Sequence, residues 1–172
     1  ARTLNESMLQ AWDTLKEANV QIIWQTGKYY YEQITTQLRG RELPNVHVCD
    51  FISNMDAAYA AADLVISRAG AGSISEFCLL GKAVILVPSP NVSEDHQTKN
   101  ALALVNKDAA LYVKDADATT QLIPLALSTV KDTNRLCSLR TNISALAYHN
   151  SADVIADEVI ALAERSAATK GK

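Results

Sequence analysis

The sequence predicts an α/β domain built on an open, doubly wound parallel sheet. Three observations carry that prediction. Five short apolar runs alternate along the chain with stretches of helical periodicity. Two of the runs, 63–67 and 83–87, are rich in Val, Ile and Leu, as strands covered on both faces are. Glycine, proline and polar residues gather in the loops that follow the runs: 26–28, 51–54, 68–73 and 88–97. In such folds ligands bind at the carboxyl ends of the strands.

The elements follow in order. Residues 1–19 read as a helix, with Leu4, Met8, Leu9, Trp12 and Leu15 on one side. Residues 20–25 (VQIIWQ) are the first strand, and Thr26-Gly27-Lys28 a turn at its carboxyl end. Residues 29–38 form a helix with a tyrosine-rich start, closed by Gly40, and residues 45–49 the next strand. Asp50 to Asn54 lead into an alanine-rich helix over 55–62, suited to close packing on a sheet. Residues 63–67 and 83–87 are buried strands on either side of a glycine loop and a helix ended by Gly81. A polar loop, 91–97, precedes a helix over 97–106 and is placed to close over a ligand. A strand over 109–113 and three helices, 119–130, 132–148 and 151–165, complete the domain. The expected domain is 1–165, with 166–172 a disordered tail. A doubly wound domain normally opens on a strand and a phosphate loop. This chain opens on a helix, so a first strand and first phosphate loop are expected to be missing.

Composition narrows the function. The 172 residues carry a net charge of −3, which speaks against a nucleic-acid footprint. No apolar run has the length of a membrane span. Cys49, Cys78 and Cys137 are far apart and in apolar surroundings, and are expected to be buried, reduced thiols of a cytosolic protein. His47, His96 and His149 have no metal-ligand spacing.

The central stretch Arg68-Ala69-Gly70-Ala71-Gly72-Ser73 is the candidate anion site. A helix N-terminus at the end of a parallel strand offers unpaired N–H donors and about half a positive charge, which suits a diphosphate. A carboxylate one turn further in, Glu76, can take two ribose hydroxyls. The same spacing also fits a capping box, with Ser73 as N-cap and Glu76 answering it. Spacing alone favours that reading, because a capping box needs no ligand. The loop is not a phosphate-binding GxxxxGK[ST], and Ser75 stands where a dinucleotide GxGxxG would have its third glycine.

Several of these residues form a pattern more specific than the loop alone. They are Phe51-Ile52 with Met55 and Ala57-Ala58-Tyr59, Ala62-Asp63, Arg68 through Glu76, Leu86-Val87-Pro88, and His96-Gln97 with Asn100-Ala101. On them the chain resembles the C-terminal half of the MurG family. These are bacterial transferases that move N-acetylglucosamine (GlcNAc) from UDP-GlcNAc to undecaprenyl-pyrophosphoryl-MurNAc-pentapeptide in peptidoglycan synthesis. The resemblance implies the C-terminal, donor-binding domain of a two-domain GT-B fold. It implies that Ile52 contacts uracil, that Ala71, Gly72 and Ser73 contact the diphosphate, and that Glu76 holds the ribose. It further implies that Gln97, with His96, contacts the GlcNAc hydroxyls, and that Phe51, Met55, Arg68 and Asn100 stand near or behind these groups. It implies no cofactor and no metal held by this chain, and the sequence is read as having no Asp-x-Asp pair, which agrees.

The lipid I acceptor and the catalytic base belong, on this resemblance, to the N-terminal domain, so no catalytic residue is assigned here and the chain alone is expected to be inactive. Membrane contact is expected only of the full-length protein, peripheral on the cytoplasmic face of the inner membrane. The chain departs from the family where His96-Gln97 replaces two glutamines, where Gly72 replaces a bulkier residue, and in a polar loop one residue longer than usual. Two alternatives share the uridine site. One is another UDP-sugar enzyme of this fold, such as a UDP-GlcNAc 2-epimerase; the other is a non-catalytic nucleotide-sugar binding module.

Overall fold

A computed structural model describes residues 1–90 and 95–170, with side chains as far as 165. The elements are α1 (Arg2–Gln10), α2 (Trp12–Glu17), β1 (Ile22–Gln25), α3 (Lys28–Leu38), β2 (Val46–Cys49), α4 (Met55–Ala61), β3 (Leu64–Ser67), α5 (Ala71–Leu80), β4 (Ala83–Leu86), α6 (His96–Val105), β5 (Leu111–Tyr112), α7 (Ala118–Lys131), α8 (Thr133–Ser144) and α9 (Ser151–Lys170). A 3-10 turn, Asp115–Asp117, joins β5 to α7. Every strand pairing is parallel, as helical crossovers require.

The strands form two ladders rather than one. β1 pairs with β2, with Ile22 opposite Val46, and the other ladder runs β3-β4-β5. No ladder joins β1 to β3 among the described residues. Side chains of other elements hold the two parts together. Trp12, Leu15, Trp24, Ile34, Leu38 and Val46 form one core with Ile123 of α7, and Leu4 of α1 packs on the core shared by β4 and α7. Asn5, only 3% exposed, is a polar pin in this region. Its amide donates to the Thr26 carbonyl at 3.0 Å and accepts the Trp24 indole N–H at 3.0 Å. A group buried this deeply needs such partners.

β4 is the centre of the larger ladder, and each of Ala83 to Val87 is fully buried. Val87 stays in register beyond the strand, donating to the Ser67 carbonyl at 2.9 Å. Gly81 ends α5 in the left-handed conformation, φ 59°. Its N–H and that of Lys82 close on Cys78 and Phe77, as the sequence predicts.

Several local expectations are corrected. The single helix over 1–19 breaks at Ala11 into α1 and α2. The Ser7 hydroxyl bonds back to the Thr3 carbonyl, a contact that bends helices, and the Trp12 indole is drawn to the Arg41 carbonyl at 2.8 Å. α4 has no fully buried residue, so its alanines do not pack tightly on a sheet. Cys137 is exposed, because Leu136, Leu139 and Ile143 take the buried face of α8 and leave it outside. α9 continues past Arg165, where the tail was expected to begin, and residues 171–172 lie outside the described residues. Part of the polar loop, 91–94, lies outside them too.

Candidate functional site

The helix after β3 begins earlier than the capping box requires. Gly70, extended at φ −69° and ψ 142°, is the N-cap, and Ser73 lies inside the first turn. No side chain caps this helix, so the capping box is overturned. Gly70 occupies the N-cap without a side chain, and Ala71 starts the helix readily. The first helical bond runs from the Ile74 N–H to the Gly70 carbonyl at 3.0 Å. The N–H groups of Ala71, Gly72 and Ser73 precede it, and helix geometry supplies them no carbonyl. Ala71 and Gly72 are exposed and Ser73 half-buried. The predicted loop contacts are therefore the first turn of a ten-residue helix, with their donors aligned along its axis.

Glu76 is exposed on the next turn. Its Oε2 accepts the Tyr59 hydroxyl at 3.2 Å, a bond that crosses from α4 to α5. Burial raises the Tyr59 pKa, and the negative charge and hydrogen bond of Glu76 raise it further. The Tyr59 ring meets Phe77 edge-on, with centroids 5.8 Å apart and planes at 88°.

Three further contacts set the walls. The Asn100 amide donates to the Ala69 carbonyl at 3.2 Å, tying α6 to the glycine segment. The Ser89 N–H donates to Gln97 Oε1 at 2.9 Å, so Gln97 braces the loop after β4. Arg68 donates to the carbonyls of Val87 and Pro88, both at 3.1 Å, and pairs with Asp115. Asp115 in turn accepts the Thr3 hydroxyl at 3.0 Å, so α1 reaches the same corner. An Asp-x-Asp pair does occur in the chain, Asp115-Ala116-Asp117, contrary to the sequence reading, and its first carboxylate is committed to Arg68 and Thr3. Among the described residues no group of three or more His, Cys, Asp or Glu is placed to hold a metal ion.

Ile52 lies on the other ladder's side of the site. Its N–H donates to Gln25 Oε1 at 2.9 Å. Ile52 and Phe51 line an open cavity of about 330 Å³ with Ile23, His47, Cys49 and Asn54. Phe51 is exposed and Met55, at the start of α4, half-buried. His96 is exposed on the first turn of α6. The structure thus joins Asn100 to Ala69 by a direct bond, places Glu76 on the helix that follows Ala69, and ties Arg68 to Pro88. It gives no bond that links Ile52 to Glu76. Tyr59, Gln25 and Asp115 had no role assigned from sequence. Tyr59 stands inside the quoted pattern, but nothing in its spacing points to a residue 17 positions away.

The sequence matches the glycosyltransferase family 28 C-terminal domain over residues 1–158. The chain belongs to that family. The family 28 relatives include a UDP-N-acetylglucosamine–N-acetylmuramyl-(pentapeptide) pyrophosphoryl-undecaprenol N-acetylglucosamine transferase of Bacteroides thetaiotaomicron, 63% identical over 95% of this chain and 45% of its own length. The transferase of the same name from Phocaeicola vulgatus is 58% identical over the whole chain and 46% of its own length. The crystal structure of Acinetobacter baumannii MurG superposes with a TM-score of 0.77 at 30% identity, over 91% of this chain and 45% of that one. The chain therefore spans about half the length of the relatives it matches, and its Rossmann-like fold is that of the C-terminal domain of a GT-B enzyme.

Proposed function

We infer that the chain is the donor-binding half of an inverting glycosyltransferase. The whole protein moves GlcNAc from UDP-GlcNAc to undecaprenyl-pyrophosphoryl-MurNAc-pentapeptide, and UDP leaves. The observation that carries this reading is the first turn of α5. Three N–H groups without helical partners stand at the carboxyl end of a parallel strand, with an exposed carboxylate one turn on.

The chemistry follows from that placement. As the bond from the anomeric carbon to the diphosphate breaks, negative charge grows on the leaving oxygens. Donors fixed in advance at a helix N-terminus meet that charge without reorganising, which is the main source of rate in such sites. Ala71, Gly72 and Ser73 supply the donors. Glu76, about 5 Å further along the helix axis at 1.5 Å per residue, accepts the ribose hydroxyls. Uracil takes over the Ile52 N–H from Gln25 with one of its carbonyl oxygens. Gln97, with His96, meets the sugar hydroxyls from the start of α6. Arg68 and Asn100 hold the loops, and Phe51 and Met55 flank the base. The general base and the lipid acceptor belong to the other half of the protein, and membrane contact at the cytoplasmic face comes with that half.

Isothermal titration of the folded chain with UDP-GlcNAc, with ADP-glucose as control, tests the reading. Selective UDP-GlcNAc binding that Glu76→Gln weakens tenfold or more supports it, the cost of one charged hydrogen-bonding group being about 1.5–3 kcal/mol. Absence of UDP-GlcNAc binding, or binding indifferent to Glu76, overturns it. Conversion of UDP-GlcNAc to its 2-epimer by the full-length protein, without transfer to lipid I, would assign the same fold to an epimerase.

A further inference from the structure

We propose that Tyr59 is the positioning residue for the Glu76 carboxylate and so sets how strictly the site demands a ribose with both hydroxyls. The proposal rests on the donor-site reading above and deepens it.

Glu76 is exposed at the end of a flexible side chain, and a lone carboxylate there samples many rotamers. Tyr59 removes that freedom from the side away from solvent. Its ring is fixed on Phe77, which is 1% exposed and belongs to the core beneath α5. From that footing the hydroxyl reaches Oε2 at 3.2 Å, longer than the roughly 2.7 Å of a tight O–H···O bond. Tyr59 donates a single proton to one oxygen. Oε1 and the second lone pair of Oε2 keep acceptor capacity for two neighbouring hydroxyls. The burial and negative charge that raise the phenol pKa keep it protonated, and therefore a donor, across the neutral range.

The contact also explains how α4 is anchored. No residue of that helix is fully buried, and Tyr59 is the side chain by which it meets the core of the larger ladder. α4 begins directly after Phe51 and Ile52, capped by Asn54, whose side chain accepts the Ala57 N–H at 3.0 Å. A capped helix therefore connects the segment of Phe51 and Ile52 to the Glu76 carboxylate, through Tyr59.

Tyr59→Phe keeps the ring on Phe77 and deletes only the hydroxyl. Binding of UDP and of 2′,3′-dideoxy-UDP is measured by titration for the wild type, Tyr59→Phe, Glu76→Gln and the double variant, with thermal unfolding of each. The expected result is a loss of about three- to tenfold for UDP in Tyr59→Phe, the size of one net hydrogen bond. No loss is expected for the dideoxy nucleotide, nor any further loss when Tyr59→Phe is added to Glu76→Gln. A merely structural role would weaken both nucleotides alike, and that outcome overturns the proposal. So does a UDP affinity unchanged or improved in Tyr59→Phe while Glu76→Gln is impaired, which leaves the donor-site reading standing. Indifference of UDP binding to Glu76→Gln overturns both.

Discussion

Asn5→Ala removes the polar pin between α1 and the end of β1. The amide makes two bonds, donating to the Thr26 carbonyl and accepting from the Trp24 indole, each at 3.0 Å. Trp24 is 5% exposed and Thr26 fully buried, so water reaches neither partner easily. Each orphaned group costs about 1–3 kcal/mol, and partial relaxation leaves an expected loss of about 3 kcal/mol. Against a total stability of about 5–15 kcal/mol that is a large fraction. With a urea slope of about 2 kcal/mol/M the midpoint falls by about 1.5 M. The assay is equilibrium unfolding in urea followed by far-ultraviolet circular dichroism, with Trp24→Phe as a second background. Phe has no N–H to orphan, so Asn5→Ala costs about 1–2 kcal/mol less there. A loss below 1 kcal/mol, or the same loss in both backgrounds, refutes the argument that the two bonds carry the cost.

Gly81→Ala forces a side chain into φ 59°, while its Cβ meets Ser144 only at an ordinary 3.6 Å, so the expected destabilisation of about 1–2 kcal/mol is wholly backbone strain; chemical denaturation measures it, and a neutral result contradicts that cause. Asp108, held below the usual carboxylate range first by its hydrogen bond from Arg135 and then by that residue's charge, contributes stability present above the unfolded carboxylate pKa and lost as pH falls through the folded one. Asp108→Asn tolerates the same φ of 52° and should flatten the acid limb of a stability–pH curve without moving the alkaline limb. Thiol labelling of the native protein should be fastest at exposed Cys137 and slower at half-buried Cys49. Cys78, whose pKa burial raises, should react only on unfolding; prompt labelling there contradicts the packing of α5.

The features legible in the sequence are those governed by short-range rules. Alternating apolar runs announced the parallel strands, and Gly81 announced the end of α5 because few other residues tolerate its conformation. The start of the same helix was misread for an equally physical reason. Ser73 and Glu76 satisfy the capping spacing, but spacing does not reveal that Gly70 takes the extended N-cap geometry three residues earlier. The correction leaves N–H groups without helical partners on the same three residues, Ala71, Gly72 and Ser73. Partners brought together by tertiary packing were out of reach. Tyr59 meets Glu76 across 17 residues, Arg68 meets Asp115 across 47, and Gln25 meets Ile52 across 27. The division into two ladders was equally hidden, since each strand looks the same whether or not its edge is paired. The exposure of Cys137 was legible in retrospect. Leu136, Leu139 and Ile143 mark the inward stripe of α8, and position 137 falls off it.

The Thr3–Asp115 bond has a consequence for how the protein is made. Its two ends are 112 residues apart, and α1 and α7 are packed against each other along much of their length. A ribosome adds about 5–20 residues per second, so α1 waits for about 6–20 s before α7 emerges. Its Met8 side, with Trp12 of α2, packs early against β1, α3 and β2, and Ile123 of α7 completes that core. Its Leu4 side has no core to join until β4, β5 and α7 arrive. Within these residues the earlier-made helix is closed late, and for those seconds its uncovered side is surface on which holding chaperones and neighbouring nascent chains compete.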